Sequence, residues 1–185
     1  MKRAFLILAA ILLAFSLCAC DSVSGESGAE GESGEAKAVT LDIETEAGSI
    51  IEKYSLSGGK RYSSKSTVAG EYLDEDLIRS YYGDAAEMPD FSQVAAYAVY
   101  IDESKPINPC EFGIFEMKDG ADAEKFMLFL KARINLKIEN AKAYPTMDTE
   151  PLKTAVFTAK GKYIWYAVVK GGNADIDNTL KGRFE

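Results

Sequence analysis

Few residues in this chain are of a type and spacing that could do chemistry. It holds three cysteines, Cys18, Cys20 and Cys110, and no histidine. The lack of histidine removes the commonest general base and transition-metal ligand, and with them any Ser-His or Cys-His pair. Cys110 has no basic residue nearer than Lys105 to activate it as a thiolate, so its expected role is a small packing residue at the start of a strand. Asn173, Asp175 and Asp177 alternate like the opening of a calcium loop. The sixth and twelfth positions are Asn178 and Phe184, where glycine and glutamate are required. Gly58-Gly59-Lys60 lacks the spacing of a phosphate loop. Asp74, Glu75 and Asp76 stand at a helix start, where capping and the helix dipole account for acids. No catalytic residue, cofactor or metal site is expected, and the domain is not expected to be an enzyme.

Tyr97, Tyr100, Tyr163, Trp165 and Tyr166 are the one arrangement with functional promise. Tyr97 and Tyr100 differ in parity, as do Trp165 and Tyr166, so each strand puts an aromatic on each sheet face. The plainer role is cross-strand pairing. If helices cover one face only, an aromatic strip is left on the other, suited to stacking a sugar ring or holding a peptide. Arg133 sits mid-helix among apolar neighbours, expected to form an internal ion pair, with a polar ligand site as the alternative.

The amino terminus carries an address. Met1-Lys2-Arg3 is basic, Ala4 to Phe15 is almost wholly apolar, and Ser16 to Ala19 leads to Cys20. This is the layout of a secretory signal, and the apolar run is short for a transmembrane helix. Leu17-Cys18-Ala19-Cys20 resembles the lipobox of bacterial lipoproteins. That resemblance implies cleavage before Cys20 and a diacylglyceryl thioether on its sulfur, with acyl chains such as palmitate in the outer leaflet. Two chains hold a protein far better than one, because each buried methylene contributes about 0.8 kcal/mol.

The expected organisation is a signal peptide over 1–19, lipidated Cys20 with a linker to 37, and one domain over 38–185. Asp21 to Lys37, DSVSGESGAEGESGEAK, has too little apolar area to offset its chain entropy, so a flexible acidic tether is expected. Removing residues 1–19 leaves 19 basic against 29 acidic residues, a net charge of −10. So acidic a chain is a poor partner for nucleic acid.

In the domain, Ile43, Ala47, Ile50, Ile51 and Tyr54 fall on one face of a helix over about 41–55. A short extended segment around 62–68 follows, then a short helix capped by Asp74. Residues 94–101 and 111–118 read as strands. A long helix over about 121–143 carries Phe126, Met127, Leu130, Ile134, Ile138 and Ala141 at three- and four-residue steps, ending before Pro145. Residues 154–159 and 163–169 form a second hairpin around Lys160-Gly161, and Asn173 caps a final helix. The order favours an α+β fold: an antiparallel sheet of two hairpins joined by the long helix, helices packed mainly on one face.

Several pieces carry a family resemblance over residues 71–169. They are Tyr72-Leu73-Asp74-Glu75-Asp76-Leu77, Tyr81-Tyr82-Gly83, Ala96-Tyr97-Ala98-Val99-Tyr100 and Glu111-Phe112-Gly113-Ile114-Phe115. Ala123-Glu124-Lys125, Arg133, Tyr144-Pro145 and Lys160-Gly161-Lys162-Tyr163 complete the set. In order and spacing they resemble the bacterial lipoproteins, mostly of Clostridia, grouped as domain of unknown function 4358. Cys110 departs from the pattern, standing where a small or acidic residue is expected. The resemblance implies a fold and an address but no activity. The sequence as a whole leads to a lipoprotein on the extracytoplasmic face of the cell membrane, binding an envelope protein, peptide or glycan. An enzyme acting on envelope polymers through carboxylates and tyrosines, or a small-solute-binding lipoprotein, are the alternatives.

Overall fold

The side chains along the strands decide this architecture. The computed structural model describes residues 39–83, 87–104 and 109–185, within a unit that spans Ala38–Glu185. The expected signal peptide, Cys20 and the whole linker lie outside the described residues.

Five strands form one antiparallel sheet: β1 (Lys60–Ser63), β2 (Val94–Asp102), β3 (Cys110–Met117), β4 (Val156–Lys160) and β5 (Tyr163–Val168), in the order β1-β2-β3-β5-β4. β2 pairs with β3, and β5 then returns beside β3, with Ile114 opposite Trp165. The β4–β5 hairpin closes through Gly161, whose φ of +57° suits glycine in a tight turn. β5 is buried at every position, so both of its faces meet apolar cover.

The helices are α1 (Ile43–Lys53), α2 (Glu75–Tyr82), α3 (Ala123–Ala141), α4 (Glu150–Lys153) and α5 (Asn173–Lys181). Carboxylates of Asp42, Asp74 and Asp122 accept backbone N–H groups in the first turns of α1, α2 and α3, satisfying donors that a helix start leaves unpaired. α3 runs 19 residues, about 28 Å.

The α+β class with an antiparallel sheet is the architecture observed. α3, α2 and α4 cover the face that carries Tyr97, Val99, Ile101, Phe115, Ile164 and Tyr166. α1 and α5 cover the face that carries Ala98, Tyr100, Phe112, Ile114, Tyr163 and Trp165. The larger helical layer, with the long α3, lies on one face as expected; α1 and α5 add a second layer on the other, and it governs where the aromatics end up.

Candidate functional site

The expected aromatic face is not a surface. Tyr97, Tyr100, Tyr163, Trp165 and Tyr166 are 8, 4, 1, 0 and 1 % exposed. The physical reason is the two-sided helical cover, which leaves neither sheet face open at these positions. The rings pack across the sheet as the plainer reading supposed: Tyr100 stacks on Phe112 at 5.9 Å, and Tyr97 lies 6.4 Å from Phe115.

The polar tips of these rings do a second job. Tyr97 Oη accepts the Leu73 N–H at 2.8 Å, just before α2. Tyr100 Oη accepts the Gly59 N–H at 2.9 Å, just before β1. Tyr163 Oη accepts the Leu41 N–H at 3.0 Å, just before α1. Trp165 Nε1–H donates to Asp177 of α5 at 3.1 Å, and Tyr166 shares a 3.1 Å hydrogen bond with Tyr82 of α2. Together these bonds tie the central strands to both ends of α2, to the entries of β1 and α1, and to α5. Burial holds the phenols of Tyr97, Tyr100 and Tyr166 above the usual tyrosine range, so they remain neutral donors and acceptors. Gly113 makes room for this packing: a Cβ there would stand 2.7 Å from the Tyr166 ring and 2.8 Å from that of Phe115.

The principal buried charge cluster joins β3 to α3. Glu111 is fully buried, and its two carboxylate oxygens accept Arg133 Nε–H and Nη2–H at 2.8 Å each. Lys137 donates to the same carboxylate at 2.5 Å. Arg133 also donates to the Tyr81 carbonyl at 2.8 Å, and its guanidinium lies 5.0 and 5.6 Å from the rings of Tyr81 and Tyr82. Burial alone would raise the Glu111 carboxyl; Arg133 and Lys137 outweigh it and hold the group below the usual carboxylate range. Such a carboxylate stays ionised and is a poor proton donor. Arg133 thus takes the internal ion pair expected of it. Its partner is legible in the parity of β3: Glu111 shares a face with Gly113, Phe115 and Met117, the one acid on that face, and this face meets the helix that carries Arg133 and Lys137.

Above this cluster runs an open groove of about 490 Å³ between the end of α2 and α3, lined by Ser80, Tyr81, Gly83, Arg133, Leu136 and Asn140. Cys110 is partly buried, and burial pushes its thiol up to about 11, ahead of the nearby Asp102 and Glu111 charges. Asp74, Glu75 and Asp76 stand at the α2 start, with Asp74 as its cap. Asn173 is not the cap of α5: it lies in the first turn, accepting the Val169 N–H at 2.6 Å and donating to the Pro151 carbonyl at 2.8 Å. Asp175 is bound by Lys53 and Tyr54, and Asp177 by Thr158, Trp165 and Lys181, so the alternating acids serve the α1–α5 and α5–sheet contacts. Among the described residues no group of three or more Cys, Asp or Glu is placed to hold a metal, and no helix is long and apolar enough to cross a membrane.

Much of the apolar surface that the interior leaves over lies on or next to α3. The large apolar side chains exposed among the described residues are Val39, Val68, Leu128, Leu136 and Tyr144. Three of these five lie on α3 or in the turn that follows it, so exposed apolar area concentrates there. No family model, curated protein or solved structure matches the chain.

Proposed function

We propose that this chain is a bacterial lipoprotein of the family it resembles, held on the extracytoplasmic face of the membrane by lipid on Cys20. Its domain is a non-enzymatic binding module for an envelope protein, peptide or glycan, and its contact surface is the outer face of α3. The observation that carries the reading is the contrast between interior and surface. The aromatics and the central acid are spent on holding the fold, while Leu128 and Leu136 stand 64 and 61 % exposed on one helix. Isolated exposed leucines are ordinary; two on one face of a helix, with Ala132 between them, form a stripe that a partner can cover. The acid beneath the neighbouring groove is fully engaged by Arg133 and Lys137, which favours binding over hydrolysis.

The test is site-specific photo-crosslinking in intact membranes. A photoreactive residue at Leu136 is expected to give a discrete adduct, whereas one at Ala174, exposed on α5, is expected to give none. Equal adducts at both sites, or none at Leu136, would overturn the assignment of α3.

A further inference from the structure

The exposed stripe of α3 has an internal symmetry that says what fits it. Its residues are Lys125, Leu128, Ala132, Leu136 and Glu139, separated by steps of three, four, four and three. At about 100° per residue, all five point within about 40° of the Ala132 direction. All are exposed: Leu128 and Leu136 as above, the Lys125 and Glu139 side chains at 60 and 62 %. The spacing reads the same from either end of the helix, while the charge reverses from lysine to glutamate.

We propose that this face binds a second copy of the same chain, with the two α3 helices antiparallel and their two-fold axis passing beside Ala132. In that arrangement Leu128 of one copy lies beside Leu136 of the other, twice. Lys125 lies beside Glu139, also twice. A two-fold interface requires such self-complementarity, in which residue i meets j and j meets i. A parallel pair in register would instead set lysine on lysine and glutamate on glutamate, so charge selects the antiparallel order. The small Ala132 side chain at the crossing allows the helix axes to approach to about 8 Å. The antiparallel macrodipoles are favourably aligned.

The present partners of the two end charges do not stand in the way. Lys125 lies 3.7 Å from Glu87, and Glu139 lies 2.5 Å from Lys142. Both pairs are exposed, and such pairs contribute little, so exchange across an interface costs little. One helix against one helix is a small contact, which makes the association weak in dilute solution. Confinement of both copies to one membrane surface raises their effective concentration. The proposal rests on the reading of α3 as the contact face.

The test uses the full chain in membranes, in a Cys110→Ala background, with Ala132→Cys added. Oxidation with copper phenanthroline is expected to give a covalent species of twice the chain mass, and far less when the cysteine is placed at Ala174 instead. The chain without an added cysteine sets the background. Lys125→Glu or Glu139→Lys alone turns two attractive pairs per dimer into repulsive ones, and should lower the cross-linked yield about fivefold. The double reversal Lys125→Glu/Glu139→Lys rebuilds both pairs and should restore it. A dimer insensitive to single reversal, or not rescued by the double, overturns the antiparallel register. An adduct of another mass at Ala132→Cys, with no dimer, overturns self-association and leaves α3 as a contact face. No adduct here and none from the photoreactive Leu136 overturns both.

Discussion

Glu111→Gln tests whether the buried ion cluster holds the domain together. The substitution keeps the size of the side chain and removes its charge. In the native structure the Glu111 side chain is fully buried, that of Arg133 is 7 % exposed and that of Lys137 is 24 % exposed. Glutamine keeps one oxygen as acceptor, but its NH2 meets an Arg133 N–H that is also a donor. Arg133 is then left buried with its charge uncompensated, a defect that costs about 3–5 kcal/mol. Lys137 can turn to solvent and adds little. Against a typical domain stability of about 5–15 kcal/mol this is a large fraction. At about 3 °C per kcal/mol for a domain of this size, the melting temperature should fall by about 10–15 °C. Urea titration followed by circular dichroism measures the free energy directly.

Two further arms make the reasoning refutable. Replacing both partners, Glu111→Met with Arg133→Met, removes the charges together and should recover most of the loss, because apolar substitutes for buried pairs are often neutral or better. The pH dependence has a fixed sign. The folded carboxyl titrates below its ordinary value near 4.5, so its contribution is fully present above that pH and is lost as pH falls through the folded value. The stability gap between wild type and Glu111→Gln should therefore be widest near neutrality and close in acid. A loss under about 1 kcal/mol, or a double variant no better than the single, would show that the cluster is not what couples β3 to α3.

Two more expectations follow from the cysteines. With the Cys110 thiol pushed up to about 11, its thiolate fraction at pH 8 is about one in a thousand, so labelling by Ellman's reagent should be at least tenfold slower than for an exposed cysteine and should accelerate with rising pH; labelling at the free-thiol rate would refute this. For the proposed anchor, Cys20→Ser should leave the domain folded but either release it to the medium or trap the uncleaved precursor, as fractionation and immunoblotting would show; unchanged processing and anchoring would overturn the lipoprotein reading.

Much of the fold was legible because its signals are local. Asp74 and the long apolar repeat of α3 announce helix positions within a turn or two of sequence, and the Lys160-Gly161 break announces a hairpin. β1 begins two residues before the segment expected around 62–68 and ends five before it, since four residues carry little alternation. α4 is a single turn and leaves no period to read. Asn173 has the residue type of a cap but not the role, because its partners, Val169 and the Pro151 carbonyl, are set by tertiary contact and not by helix start chemistry. The second helical layer did leave a trace. Tyr163-Ile164-Trp165-Tyr166-Ala167-Val168 is apolar at both parities, and a strand with a wet face would alternate.

That same trace decides the function of the aromatics. A strand apolar on both sides must be covered on both sides, and a covered tyrosine must find a partner for its hydroxyl. Here the partners lie at α1, β1, both ends of α2, and α5, so the aromatic set that suggested a binding strip serves instead as five ties from the central strands to the elements around them. The ion cluster is a sixth tie, from β3 to α3. Fixing α3 so firmly from within has a consequence for its outer face. Lys125, Leu128, Ala132, Leu136 and Glu139 are held in a rigid register, and binding to a rigid face loses less conformational entropy than binding to a mobile one. The interior chemistry thereby acts on function at one remove: it presents a helix whose exposed pattern, and not any reactive group, is what a partner would read.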